Sequence, residues 1–427
     1  MVDVAPPPEG SGDVLVAGSR GAQEPIKPKS HVVLRDSQGG YKVFNLCDKE
    51  VKLKMGKYPP IPVDAVFNVP YGAALRVNEA GVWARARRGA VETSDETEVT
   101  EVAEDNRHIA MDSNAQKLST HDISELREKC SGEEVVAAIA SASTTFASRT
   151  KFSQEKFIAR KRQKHVREVV ALPPTAFELC EAYMQSGRQV ICGLRFDYLS
   201  SLLCQANVQS GGRYLVLDCA AGLVTGAISQ RLAGSGRVFR FWGKGYGSDK
   251  VFDEMDLGEA GKKVVTRLPL DLVTCADPLE HEWLRASGNA APETRAVGVS
   301  REDRMQFRHA AVRDLLSGVD GVIVVAGEDE GDVSAEVLSS CMKYLAPGGR
   351  VVVFGPQLQP LATRQGEMRR SGDFVLVQMT QLFTREYQVL PQRTHPVMKQ
   401  ESRLIEGFLL AATKVQAAPG KGVLQCA

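Results

Sequence analysis

At 427 residues, with 43% hydrophobic and 25% charged residues, the chain can bury a large core and has the balance of an ordinary soluble protein. A formal net charge of +1 excludes a globally basic nucleic-acid binder, so any polyanion footprint has to be local and offset by acid elsewhere. The sequence contains no apolar run of membrane-spanning length, and its nine cysteines (Cys47, Cys130, Cys180, Cys192, Cys204, Cys219, Cys275, Cys341 and Cys426) form no C-x-x-C pair, which predicts no membrane helix, no metal site and a reducing compartment.

Residues 1–30 are rich in Pro, Gly and Ser and lack a basic start followed by a hydrophobic stretch, so a disordered tail is expected rather than a secretory signal. Residues 31–112 predict a small β domain. Two apolar runs, 31–35 and 41–46, flank Asp36-Ser37-Gln38-Gly39-Gly40, a hairpin turn, and Pro59, Pro60, Pro62 and Pro70 disfavour helix beyond it. Within this domain, residues 92–105 carry seven acids (Glu92, Asp95, Glu96, Glu98, Glu101, Glu104 and Asp105) and no base, which predicts a self-repelling, solvated loop.

Residues 113–172 predict a basic helical linker. Ser119-Thr120-His121-Asp122 and Ser131-x-x-Glu134 read as capping boxes, and residues 147–170 have helical spacing. The cations Arg149, Lys151, Lys156, Arg160, Lys161, Arg162, Lys164 and Arg167 are interrupted by one acid, Glu155. Lys156, Arg160, Lys164 and Arg167 fall on one helical stripe, with Phe152, Ala159, Val166 and Val170 opposite. Like charges so spaced destabilise a helix unless a polyanion answers them, and an RNA backbone would do so with release of counterions. A solvated face or a nuclear-import signal are the plainer readings.

From residue 173 to about 416 the chain alternates. Strands are expected at 213–219, 237–242, 264–270, 321–326 and 350–355, with helices such as 335–345 between them and a loop at 286–300; residues 417–427 read as a tail. This alternation predicts an α/β domain with an open, mostly parallel sheet. The first strand ends in Asp218-Cys219-Ala220-Ala221-Gly222. Enzymes that use S-adenosylmethionine typically place an acid and three alternate glycines at this turn, so that backbone N–H groups can approach the cofactor. The matching positions are Asp218, Ala220, Gly222 and Val224, with one glycine left. The second strand ends in Phe241-Trp242-Gly243 without the acid that takes ribose hydroxyls. The fourth ends in Val325-Ala326-Gly327, where base methylation wants a carboxylate or amide; Glu328, Asp329 and Glu330 come too late. Gly243-Lys244-Gly245-Tyr246-Gly247 lacks the spacing of a phosphate-binding loop. These residues predict no catalytic group, no cofactor site and no metal.

Several stretches resemble one family. Ser143-Thr144-Thr145-Phe146, the run from Thr150 to Ile158 with the basic residues after it, Gln116-Lys117-Leu118, Gly132-Glu133-Glu134, Arg195-Phe196-Asp197, the altered turn Cys219 to Val224, and above all the string from Arg385 to Pro396 (REYQVLPQRTHP) are similar to the non-catalytic subunit of tRNA adenosine-58 N1-methyltransferase. The resemblance runs from residue 31 to about 415. It is poor over 243–310, and the usual glycine-rich stretch after the last motif is replaced by Lys399-Gln400-Glu401-Ser402-Arg403. It implies a class I methyltransferase-like (Rossmann-like) fold and a nuclear α2β2 heterotetramer. A catalytic sister subunit would bind S-adenosylmethionine, while this one helps hold tRNA. Arg393 and His395 become candidates for the tRNA or subunit interface. An active methyltransferase with unusual site residues, and an assembly scaffold that never touches RNA, remain the rival readings.

Overall fold

The structure, a computed structural model, describes residues 25–46, 52–56, 58–77, 82–86, 116–130, 132–243, 246–285, 300–327, 335–385, 387–390, 393–397 and 407–416. The acidic run at 92–105, Ser131 of the second capping box, most of the loop at 286–300, Lys244, the acids at 328–330 and residues 399–403 lie outside these. Two units divide the chain, one built from 21–196 with 250–256, the other from 197–249 and the residues after 256.

In the first unit, β1 (His31–Asp36) and β2 (Tyr41–Asn45) form the expected hairpin. Asp36 makes the turn: its Oδ1 accepts from the amides of Gln38 (2.8 Å) and Gly40 (2.7 Å), the local hydrogen bonding for which Asp is favoured in turns. Two short strands, β3 (Lys52–Leu53) and β4 (Ile61–Pro62), pair with each other. Then come β5 (Ala73–Val77) and β6 (Trp83–Arg85), the helices α1 (Thr120–Lys129), α2 (Gly132–Ser141) and α3 (Lys151–His165), the strand β7 (Glu168–Leu172) and the helix α4 (Ala176–Ser186). The sheet order is β2-β1-β7-β5-β6, antiparallel throughout, over a core that includes Leu34, Leu53, Ile61, Leu75, Trp83 and Val169. Ile26 joins this core fully buried, and its amide donates to the Val69 carbonyl at 2.9 Å. The end of the expected N-terminal tail is therefore ordered, because an apolar side chain there completes the sheet's buried face.

The basic segment departs from expectation at its C-terminal end. The helix stops at His165, and residues 168–172 are the central strand of the N-terminal sheet rather than helical linker. Val169 and Ala171 alternate inward, a strand period, and β-branched valines fit a pleated surface better than a helix of like charges. Arg167 thus leaves the helical stripe and lies beside β5, its carbonyl accepting from the Val77 amide. Residues 250–256 belong here by chemistry: the Asp256 carboxylate takes both the amide (2.5 Å) and Nδ1 (2.7 Å) of His31, and the Tyr183 hydroxyl donates to Glu254 at 2.7 Å.

The second unit contains α5 (Phe196–Gln205, from Asp197 on), β8 (Arg213–Asp218), α6 (Leu223–Leu232) and β9 (Arg237–Trp242). After α7 (Lys250–Glu254) of the first unit come α8 (Glu259–Lys263), β10 (Val265–Pro269), α9 (Asp271–Thr274), α10 (Glu282–Arg285), α11 (Arg301–Leu316), β11 (Val319–Val325) and α12 (Ala335–Met342). The unit closes with β12 (Leu345–Gly355), α13 (Leu358–Ser371), β13 (Phe374–Thr380), the hairpin β14 (Tyr387–Leu390) and β15 (Arg393–Pro396), and β16 (Phe408–Lys414). The sheet order is β10-β9-β8-β11-β12-β16-β13. The first five strands run parallel, and β16 is antiparallel to both its neighbours. Numbered within this sheet, the order is third, second, first, fourth, fifth, seventh, sixth, the order of class I methyltransferases. The strands fall where expected. The helix foreseen at 335–345 stops at Met342, because Leu345 already pairs with Val319 and the Pro347-Gly348-Gly349 turn bulges out of the strand.

Candidate functional site

A doubly wound sheet binds ligands at the carboxyl ends of its strands. At the end of β8, Asp218 is 1% exposed and its carboxylate is fully engaged by the protein. Oδ1 accepts from the Ala220 amide (2.9 Å), and Oδ2 accepts from both the amide and the hydroxyl of Thr225 (2.8 Å each). Three nearby amides are also taken: Cys219 donates to Val325, Leu223 to Ala220 and Gly226 to Gly222. Ala221 (φ 50°) and Gly222 (φ 85°) make the left-handed turn into α6. Every residue from Ala220 to Ser229 is buried, with Val224 at 0%. The Asp218 carboxylate is thus satisfied within the turn itself. Val224, where a glycine would be expected, is fully buried.

The second strand, β9, ends at Trp242-Gly243, where Leu270, just past β10, donates its amide to the Trp242 carbonyl at 2.8 Å; a Cβ on Gly243 would lie 2.8 Å from that of Leu270. Asp249, the nearest following acid, is held by two guanidiniums, those of Arg240 and Arg267 (2.7 Å). Arg240 lies within β9 at 1% exposure, and a buried cation needs such a counter-charge. At the end of β11 the Ala326 amide donates to Phe354. Among the described residues, no cluster of His, Cys, Asp or Glu could hold a metal ion, and no helix is long and apolar enough to cross a membrane.

The basic helix presents a different surface. Thr150 caps α3, its Oγ1 accepting from the Ser153 amide at 3.3 Å. Lys151, Lys156, Arg160, Arg162 and Lys164 are exposed along it, and Arg167 is exposed just beyond. Lys156, Arg160 and Lys164 keep the expected stripe. Arg162 turns aside to Glu133 of α2 (2.9 Å), a carboxylate that Arg76 also approaches at 4.0 Å. The buried side of the helix differs from expectation: Ala159 is exposed, and the packing comes from Phe157, Ile158 and His165. Phe157 lies 5.5 Å from Phe146 and carries two cations over its ring, Arg149 at 4.9 Å and Lys161 at 5.3 Å. Arg149 is a strut, its Nη2 donating to Thr145 Oγ1. Burial, reinforced by Lys164, Arg160 and Arg149, lowers the Lys161 pKa, so charge is crowded on this face before any ligand arrives.

The helix is held at both sides of its C-terminus. Ser37 Oγ lies 3.1 Å from the Gln163 carbonyl, 3.0 Å from the Val166 carbonyl and 2.7 Å from the Tyr58 hydroxyl. At the start of α2, a Cβ on Gly132 would lie 2.8 Å from the Val166 Cα, so the two helices meet at a distance that glycine alone permits. His165 was missed by sequence reasoning, which saw only its charged neighbours. It is 6% exposed, and its Nδ1 accepts from Arg127 Nε at 3.1 Å. Burial, then Arg127, Lys161 and Lys164, lower its pKa from 6.5 to about 4. The folded state therefore holds it neutral, and the unfolded chain takes up the proton first as pH falls. Its contribution to stability is complete above pH 6.5 and is lost on acidification towards about 4. Thermal melts across that window should show the first unit weakening as pH falls; a His165→Gln variant should lose that part of the slope, and an unchanged slope would remove His165 from the account.

Arg393 lies in the second unit, in β15 opposite Leu390, apart in sequence and unit from the helical cations. His395 is exposed, its Nδ1 3.1 Å from the Pro396 carbonyl. The signals for Arg240 and Asp249 were absent from the sequence, since a cation inside an apolar strand says nothing about its partner.

A family model described as the Gcd10p family matches residues 25–359. The tRNA (adenine(58)-N(1))-methyltransferase non-catalytic subunit of Dictyostelium discoideum is 27% identical, covering 91% of this chain and 79% of the relative. That of Mus musculus is 25% identical over 84% of this chain and 83% of its own. Among solved structures, the tRNA (m1A58) methyltransferase TrmI from Aquifex aeolicus is similar with a TM-score of 0.45 and 11% identity, over 92% of this chain and 100% of its own.

Proposed function

This chain belongs to the Gcd10p family, and from that premise we propose that it is the non-catalytic subunit of a tRNA adenine-58 N1-methyltransferase, holding tRNA for a catalytic partner. The observation that carries the reading is the closed turn at Asp218. A carboxylate already accepting three hydrogen bonds, under a fully buried Ala220–Ser229 run, supports a donor held on the partner rather than here. S-adenosylmethionine then belongs to the partner subunit, and this chain needs no cofactor of its own. The exposed cations of α3 supply the grip on phosphate, and assembly is as an α2β2 heterotetramer in the nucleus.

Two experiments separate this reading from that of an active methyltransferase. Purified alone, the chain should transfer no methyl group to tRNA, and adding the catalytic subunit should restore transfer; turnover by the chain free of any co-purifying partner would establish an active enzyme instead. Calorimetry of the chain alone should give no heat with S-adenosylmethionine at micromolar concentration.

A further inference from the structure

Two of the stretches singled out in the sequence, Arg195-Phe196-Asp197 and the string from Arg385 to Pro396, are far apart in the chain, yet the second unit joins the edge of one to the approach of the other. The segment between Leu382 and Gly407, which carries the β14–β15 hairpin, leaves the sheet at the end of β13 and re-enters it at the start of β16. In register, Thr380 faces Leu409 and Phe408 faces Gly355, the last residue of the parallel strand β12. Both feet of the segment therefore stand at the carboxyl end of the parallel strands, the end where this fold places its ligands.

One side chain touches both feet. Tyr198, in the first turn of α5, is fully buried and packs edge-on against Phe354, with ring centroids 5.4 Å apart. Its hydroxyl accepts from the Leu382 amide at 2.9 Å and donates to the Gly407 carbonyl at 2.5 Å. One O–H thus serves as acceptor for the outgoing strand and donor for the returning one. Beside it, Thr384 Oγ1 donates to Asp197 Oδ2 at 2.9 Å. Gly407 has φ +119°, and a Cβ there would lie 2.7 Å from Phe354 Cε2, so the returning foot has no slack. A buried phenol usually finds a hydrogen-bond partner. Here it is spent on pinning together two backbone positions on either side of an excursion from the sheet.

We propose that Tyr198, seconded by Asp197, is a positioning residue that clamps the base of the 382–407 segment and so fixes the direction in which the hairpin bearing Arg393 and His395 leaves the ligand end of the sheet. The clamp itself follows from the hydrogen bonds. Its consequence for tRNA rests on the function proposed above.

Hydrogen exchange on the full chain tests the clamp without reference to function. Tyr198→Phe removes only the hydroxyl and should speed exchange of the amides in Tyr387–Leu390 and Arg393–His395 by about tenfold, leaving those of β8 to β12 unchanged. Thr384→Ser should keep the wild-type pattern and Thr384→Val should shift it as Tyr198→Phe does. Unchanged hairpin exchange, or a uniform rise across the sheet, would overturn the proposal. In the reconstituted complex, Tyr198→Phe should raise KM for tRNA with kcat retained. Faster hairpin exchange with an unchanged KM would leave the clamp standing and count instead against a role for the hairpin in tRNA engagement.

Discussion

Reversing Lys156, Arg160 and Lys164 to Glu together should lower the affinity of the assembled complex for tRNA by about a hundredfold or more at physiological salt, while assembly and melting temperature stay near wild type. All three side chains are exposed on one stripe of α3, so the change does not enter the core. Arg162, Arg149 and Lys161 are left alone because the first is engaged with Glu133 and the others rest on Phe157. The salt dependence carries a second signature. Each lost phosphate contact removes roughly 0.7–0.9 from the slope of log affinity against log salt, so the triple variant should bind with a slope shallower by about 2–3. A titration across salt concentrations, read beside size-exclusion of the complex, checks both. Wild-type affinity and slope in a complex that still assembles would make the chain a scaffold.

Asp218→Ala should cost about 3 kcal/mol of stability or more, because it strands the amides of Ala220 and Thr225 and the Thr225 hydroxyl in a buried turn. Asp218→Asn keeps the shape but exchanges an acceptor for an amide that cannot accept from all three, and should fall between. Urea melts of the full chain measure this. In an enzyme that used Asp218 to hold its donor, the substitutions would spare stability and abolish donor binding. The opposite pattern is expected here: early melting, and no donor binding to lose.

The α/β unit was legible because its signals are local. Apolar runs such as 321–326 between turn residues admit little but a buried strand, and the absent acid after Trp242 is visible by inspection. The basic helix was legible as charge but not in extent. Like charges continue to Arg167, and nothing local marks His165 as the last helical residue, since the force that ends the helix is the pairing of 168–172 with strands more than 80 residues earlier. The altered turn was readable as a loss of glycines. The hydrogen bonds inside it were not, because the two from Thr225 to Asp218 depend on α6 winding back over its own start. Long-range pairs such as Arg240 with Asp249, Arg127 with His165 and Tyr198 with Gly407 depend on tertiary geometry that periodicity cannot report.

The placement of β7 has a consequence for how the protein is made. The middle strand of the N-terminal sheet is the last of its five to be synthesised, and until Leu172 has left the ribosome the edges of β1 and β5 have no neighbour to satisfy them. Closing that gap fixes a long loop before much contact is gained, which predicts slow maturation of this half. A truncation ending with the basic helix would therefore yield no RNA-binding module. It would yield two unsatisfied strand edges and a polycation without its anchor, a fragment suited to aggregate on nucleic acid rather than to recognise it.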